Sequence, residues 1–326
     1  MKKLVVVGNG MAGVACVEQI LKYSPRFDIT IFGDETHVNY NRILLSSVLA
    51  GERGADEITL NPLEWYLRND ITLRLGARVV DVDPDRKLVT ADDGSATPFD
   101  TLLLATGSSP LMPPIDGIGK DGVFVFRTLD DTRALIERAG PGVKAVVIGG
   151  GLLGLEAARG LQVQQCDVTV VHLMDTLMER QLDATGGAYL TSKMEALGIR
   201  VLLKRSTKAI LGNGKAEGVE FADGERLDAD LVVVAAGIRP NVELGKKAGL
   251  QVNRGIVAND FMETSHPDIF AVGECVEHNG ICYGLVAPLL EQAKVLAATM
   301  TGNRGATYGG TVSATKLKIM GVDVFS

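Results

Sequence analysis

Uninterrupted apolar runs, each closed by a glycine turn, set the rhythm of this chain. Residues 4–7 run into Gly8, 101–105 into Thr106-Gly107, 145–148 into Gly149, and 231–235 into Ala236-Gly237. Runs of this kind, without polar alternation, read as strands buried on both faces of a parallel sheet. Strands are therefore predicted at residues 3–7, 28–32, 101–105, 144–148, 167–171, 231–235 and 268–272. Apolar positions at helical spacing predict helices over 11–23, 152–165, 185–197 and 289–301, with a short helix at 64–69. Residues 78–83 and 87–90 read as a hairpin around Pro84-Asp85, and Pro110-Leu111-Met112-Pro113-Pro114 as a stiff linker.

Strand and helix alternate in both halves, which predicts an α/β chain of two Rossmann-like, doubly wound dinucleotide-binding domains. After Pro240 the pattern completes the first domain instead of starting a third. The second domain is thus expected to be inserted into the first. The predicted boundaries are 1–112 with 240–310 for the first domain, 113–239 for the second, and 311–326 for a further C-terminal segment.

Two of the glycine turns carry a longer pattern. Gly8-Asn9-Gly10-Met11-Ala12-Gly13 and Gly149-Gly150-Gly151-Leu152-Leu153-Gly154 are both G-x-G-x-x-G, each between a strand-like and a helix-like run. The first glycine makes the tight turn, the second lets the backbone approach a pyrophosphate, and the third lets helix and strand pack closely. The diphosphate then rests on free N–H groups at the positive end of the helix dipole. Two such motifs imply two dinucleotides, one delivering a hydride and the other receiving it.

Composition narrows the setting. With 326 residues, 46% hydrophobic and 22% charged, the chain has the balance of a globular protein large enough for two domains. The net charge of -7 argues against a nucleic-acid partner. No apolar run approaches the ~20 residues of a membrane span. The first fingerprint begins at Gly8, leaving no room before it for a signal peptide, so a cytoplasmic location is expected. Cys16, Cys166, Cys275 and Cys282 form no C-x-x-C pair; Cys16 lies in the first fingerprint helix and Cys166 ends the second, both expected as small buried residues. His37, His266 and His278 lack metal-ligand spacing, so no metal site is expected.

Five stretches together resemble the two-dinucleotide-binding-domain flavoprotein oxidoreductases, the pyridine nucleotide–disulfide reductase superfamily. They are Gly8–Gly13 with Asp34-Glu35, Ala105-Thr106-Gly107, Gly149–Gly154 with Glu156, Ala236-Gly237-Ile238-Arg239-Pro240-Asn241, and residues 264–274. Within it, three further stretches are similar to the flavin-containing N-terminal part of assimilatory NAD(P)H nitrite reductase large subunits. These are Tyr40-Asn41-Arg42-Ile43-Leu44-Leu45-Ser46-Ser47, the second fingerprint helix with residues 177–183, and Gly273-Glu274-Cys275 with 284–288. Such subunits continue into an iron–sulfur segment and a siroheme domain. This sequence contains neither, and residues 313–325 resemble only the first strand or two of the superfamily's interface domain. The resemblance fits both a piece of such a subunit and a separate electron-transfer subunit.

What the resemblance implies is FAD at the first fingerprint and NAD(P)H at the second. Gly8, Gly10 and Gly13, with Met11 and Ala12 opening the helix, would meet the FAD pyrophosphate. Asp34 or Glu35, preferably Glu35, would accept from the adenosine ribose. Arg42 would reach the FAD phosphate or flavin edge, beside Ser46 and Ser47. Thr106, Gly107, Gly273 and Glu274 would border the flavin end, with Glu274 accepting from a ribityl hydroxyl. The turn at Ala287-Pro288 would lead into a helix whose N-terminus faces the pyrimidine.

At the second fingerprint Gly149, Gly151, Leu152, Leu153 and Gly154 would take the nucleotide, with Gly237 at the neighbouring turn. Glu156 would position the nicotinamide over flavin N5. His172 stands where an acidic residue usually marks an NAD site: neutral it could bond a ribose hydroxyl, charged it could meet a 2′-phosphate. With no arginine close by, NADH is the preferred nucleotide.

The cysteines that relatives place early in the first domain are replaced by Leu45-Ser46-Ser47. Electrons would therefore leave for a metal centre, on a downstream iron–sulfur/siroheme domain or on a small redox protein. The expected function is electron input to nitrite reduction. The alternatives are an NAD(P)H-dependent ferredoxin or rubredoxin reductase, and an NADH-sensing flavoprotein without useful turnover.

Overall fold

A computed structural model describes residues 1–23, 27–312, 316–319 and 322–325. Its contacts divide the chain into two compact units. One comprises Met1–Asn41, Thr59–Ser109 and Arg239–Ser313, and the other Arg42–Ile58, Pro110–Ile238 and Ala314–Ser326.

In the first unit a five-stranded parallel sheet runs in the order Ile269–Ala271, Thr101–Leu104, Lys2–Val7, Phe27–Phe32, Ile71–Arg74. Leu4 lies opposite both Ile29 and Thr101 in register. Leu4, Val5, Val6, Leu102, Leu103 and Leu104 are buried to about the last per cent, which is why their run shows no alternation. Helices Met11–Tyr23 and Val286–Met300 pack together. The expected hairpin gains a third strand, giving an antiparallel sheet of Val79–Asp83, Leu88–Ala91 and Ala96–Pro98 that feeds directly into Thr101–Leu104.

The second unit repeats this plan. Its parallel sheet runs Val123–Val125, Leu231–Val234, Lys144–Ile148, Asp167–Val171, Arg200–Leu202. An antiparallel trio, Thr207–Leu211, Gly218–Phe221 and Arg226–Asp228, again precedes the strand that flanks the fingerprint strand. These short half-exposed strands give no clear period in the sequence. The helix Leu129–Arg138 is equally silent in the sequence reading, although Thr128 and Asp131 form a complete capping box at its start.

Two other features differ from expectation. The last helix begins at Val286, not Leu289, with Pro288 inside its first turn. That turn tolerates proline because its N–H groups have no intrahelical acceptor. Residues 42–58, which the sequence pattern runs together with the first domain, pack within the second unit. Leu49 lies over Gly160, where a Cβ would come 2.6 Å from Leu49 Cγ, and Gln164 Nε2 donates to the Leu49 carbonyl at 2.9 Å. Near the C-terminus Lys316–Ile319 and Val322–Phe325 pair antiparallel, in the stretch predicted to hold a strand or two; residues 313–315, 320, 321 and 326 lie outside the described residues. Among the described residues no helix is long and apolar enough to cross a membrane.

Candidate cofactor sites

Each fingerprint is a strand–turn–helix whose first and third glycines are required by space. Gly8 sits at φ +119°, and a Cβ there would lie 2.1 Å from the Ala105 carbonyl oxygen. Gly149 sits at φ +127°, with the Ala235 oxygen at 2.2 Å. A Cβ on Gly13 or Gly154 would press on the carbonyl of Gly8 or Gly149, at 2.7 and 2.1 Å. The middle glycines are different: a Cβ on Gly10 or Gly151 would meet nothing within 4 Å. Packing does not exclude a side chain there. The exposed backbone is what a dinucleotide's pyrophosphate needs, so the residues present fit one in each unit.

The helix starts support this fit. Leu152–Val163 and Val286–Met300 have no side-chain cap, and neither they nor Met11–Tyr23 carry an acid in the first turn. Leu129–Arg138 and Ala184–Ala196, by contrast, are capped by Thr128 and Asp183. A helix start with neither a side-chain cap nor an acid in its first turn can take an anion.

In the first unit the loop is braced by residues that the sequence reading missed. Asn9 Nδ2 donates to the His37 carbonyl at 3.4 Å, and Asn9 Oδ1 accepts from the fully buried Tyr66 hydroxyl at 2.8 Å. Burial pushes that phenol up to about 12. Asp34 is exposed, whereas Glu35 is half-buried and accepts from the Tyr40 hydroxyl at 2.7 Å. Asn241 clamps the turn after Thr101–Leu104. It donates to the Thr106 carbonyl at 2.8 Å through Nδ2 and to the Gly107 carbonyl at 2.9 Å through its backbone N–H, while its own carbonyl accepts from Thr106 Oγ1. Ser108 Oγ donates to Glu274 Oε2 at 2.8 Å, and the Gly273 N–H donates to the buried Gln292 at 3.0 Å. Gly273, at φ +94°, has Ala12 Cβ 2.8 Å from the place of its missing Cβ. The structure thus gathers Gly8, Gly10, Met11, Ala12, Gly13, Glu35, Thr106, Gly107, Gly273, Glu274 and Ala287 in one unit.

In the second unit His172 is committed on both ring nitrogens. The Gly150 N–H donates to Nδ1 at 3.1 Å, so the proton resides on Nε2, which faces Glu179 Oε2 at 3.1 Å. The ring is only 8% exposed and directs neither nitrogen at solvent. Glu156 is half-buried on the second turn of Leu152–Val163. Gly237 adopts φ +115°. Arg42, Ser46 and Ser47 also belong to this unit, and Arg42 Nη1 donates to the Arg127 carbonyl at 2.9 Å. The one signal for Glu179 in the sequence, a carboxylate seven residues past His172, has no familiar spacing.

Cys16, Cys166 and Cys275 are buried and Cys282 is half-buried. Burial pushes the thiols of Cys16, Cys166, Cys275 and Cys282 up, away from the reactive thiolate. Among the described residues no group of His, Cys, Asp and Glu could hold a metal.

A model of the pyridine nucleotide-disulphide oxidoreductase family matches residues 2–299. The chain belongs to that family. It is an oxidoreductase of the kind that uses FAD and NAD(P)H. It is 53% identical over its whole length to a Bacillus subtilis "Nitrite reductase [NAD(P)H]", covering 40% of that protein. It is 51% identical to the "Assimilatory nitrate reductase electron transfer subunit" of the same organism, again over its whole length and covering 42% of it. Its fold matches the putidaredoxin reductase–putidaredoxin covalent complex with TM-score 0.93 and 29% identity, over 99% of this chain and 80% of that one. The chain therefore spans about two fifths of the curated relatives it matches.

Proposed function

We propose that this oxidoreductase is the electron-input module of nitrite assimilation, taking electrons from NAD(P)H and handing them to a metal centre carried on another domain or protein. The observation that carries this is the pair of equivalent glycine cradles, each with an unobstructed middle glycine and a helix that has no acid in its first turn. The names of the relatives supply the pathway. FAD in the first cradle and the nicotinamide nucleotide in the second supply the hydride chemistry when bound.

The protein's own residues bind and orient. Gly8, Gly10 and Gly13 hold one pyrophosphate, and Gly149, Gly151 and Gly154 the other. Glu35 accepts from a ribose, Glu274 from the ribityl chain, and Glu156 positions the nicotinamide. The start of Val286–Met300 stabilises negative charge at the pyrimidine end of the flavin. Hydride transfer needs alignment and no strong acid or base from the protein.

The test is anaerobic stopped-flow mixing of the purified protein with NADH and with NADPH. Bleaching of the flavin band near ~450 nm supports the reading, together with dye reduction and no reduction of nitrite by the chain alone. A colourless protein, or a flavin that neither nucleotide bleaches, defeats it. The match to putidaredoxin reductase favours one second reading, a ferredoxin or rubredoxin reductase with a small redox protein as acceptor. Faster reoxidation by such a protein than by a siroheme domain would select it.

A further inference from the structure

We infer that Glu179, held by His172, makes the second cradle discriminate against a 2′-phosphorylated nucleotide and so selects NADH over NADPH. The inference rests on the reading that this cradle takes a nicotinamide nucleotide. His172 follows the last residue of Asp167–Val171, the place where such sites hold their ribose-binding acid. Its imidazole is spent between the Gly150 N–H and Glu179, so the acid has moved one side chain outward.

Three ties fix the segment 177–179 to the glycine loop. Besides His172, the Met178 N–H donates to the Gly150 carbonyl at 3.0 Å, and Leu177 occupies the space beside Gly150, 2.6 Å from where a Cβ would stand. Met178 adopts φ 51°, a left-handed backbone held by its burial, immediately before Glu179.

The Glu179 side chain is 31% exposed, and among the described residues His172 is its one bonded partner. Its second oxygen can accept from a ribose 2′-hydroxyl. A 2′-phosphate is a multiply charged acceptor and meets the same carboxylate with repulsion. The cations of this neighbourhood are Arg180, next to Glu179 in the chain, and Lys204, whose N–H donates to the Met174 carbonyl at 3.0 Å. Arg205 beside it is already paired with Asp223 and Glu225.

The experiment is titration calorimetry of the flavin-loaded protein with ADP-ribose and with 2′-phospho-ADP-ribose, which reads binding without turnover. The wild type should favour ADP-ribose. Glu179→Gln should shrink that preference about tenfold or more. His172→Phe should move the ratio the same way, whereas a merely structural role would weaken both ligands equally. Lys204→Ala should leave the ratio alone. An unchanged ratio in Glu179→Gln overturns the inference, as does a wild type that prefers the 2′-phosphate through Lys204. If neither ligand binds the wild type, the nucleotide reading of the cradle itself fails and takes the inference with it.

Discussion

The two glycine loops solve one packing problem in opposite ways. Their backbones are equivalent. Gly8 donates to the Phe32 carbonyl and Gly149 to the Val171 carbonyl, at 2.8 and 2.9 Å. The residue after each second strand, Gly33 or His172, donates to the third strand at 2.8 Å. The side chains are exchanged. In the first unit the loop bears Asn9 and the strand end is Gly33, where a Cβ would lie 3.0 Å from Asn9 Cβ. In the second unit the loop position is Gly150 and the strand end bears His172, whose ring would stand 2.8 Å from a Cβ on Gly150. One side chain fits between loop and strand end, and it can come from either. A duplicated fold thereby braces one loop from within, through Asn9 and Tyr66, and the other from outside, through His172 and Glu179.

The sharpest way to break the comparison is at the shared glycines. Gly8→Ala and Gly149→Ala each force a Cβ onto a carbonyl at positive φ, at an expected cost of about 2–4 kcal/mol. Gly8→Ala should yield protein without bound flavin. Gly149→Ala should keep the flavin and lose its reduction by nucleotide, which absorbance and stopped-flow distinguish.

A narrower test trades the two solutions. Gly150→Asn overpacks the loop against His172 and should weaken nucleotide binding by about 2 kcal/mol. Adding His172→Gly gives the second unit the first unit's arrangement and should recover part of that loss. A double variant no better than the single one would refute the exchange.

Tyr66→Phe removes the hydroxyl under Asn9 and should cost about 1 kcal/mol of stability, with a several-fold weaker hold on flavin. Because the Tyr66 phenol is raised above its ordinary 10.0 to about 12, the folded state keeps its proton longer than the unfolded chain. Its stability contribution is intact below pH 10 and is lost as pH rises toward about 12. Melting curves across that window should fall more steeply for the wild type than for Tyr66→Phe. Smallest is Thr128→Ala, far from either loop in sequence. It should lower stability by about 1 kcal/mol, read in a melt, and leave flavin content alone.

Much of this was legible beforehand. The fingerprints announced themselves because glycine is the one residue whose necessity survives without knowing its neighbours. The parallel strands were equally plain, since burial on both faces forces unbroken apolar runs. The antiparallel trios were obscure because half-exposed strands of three to five residues carry too few periods. Asn9, Tyr66, Asn241 and Glu179 were obscure for another reason. Each works through a partner distant in sequence or at unfamiliar spacing, as Asn241 does on Thr106, 135 residues away.

The amino-acid order alone carried the fold class and the duplicated strand–glycine–helix plan. These depend on local backbone sterics and on burial, both written into residue type and order. Packing between distant segments settled that residues 42–58 join the second unit, and that His172 turns both nitrogens inward, one of them onto Glu179. Those outcomes depend on which side chain wins a shared space, and that competition exists only once distant segments are packed together.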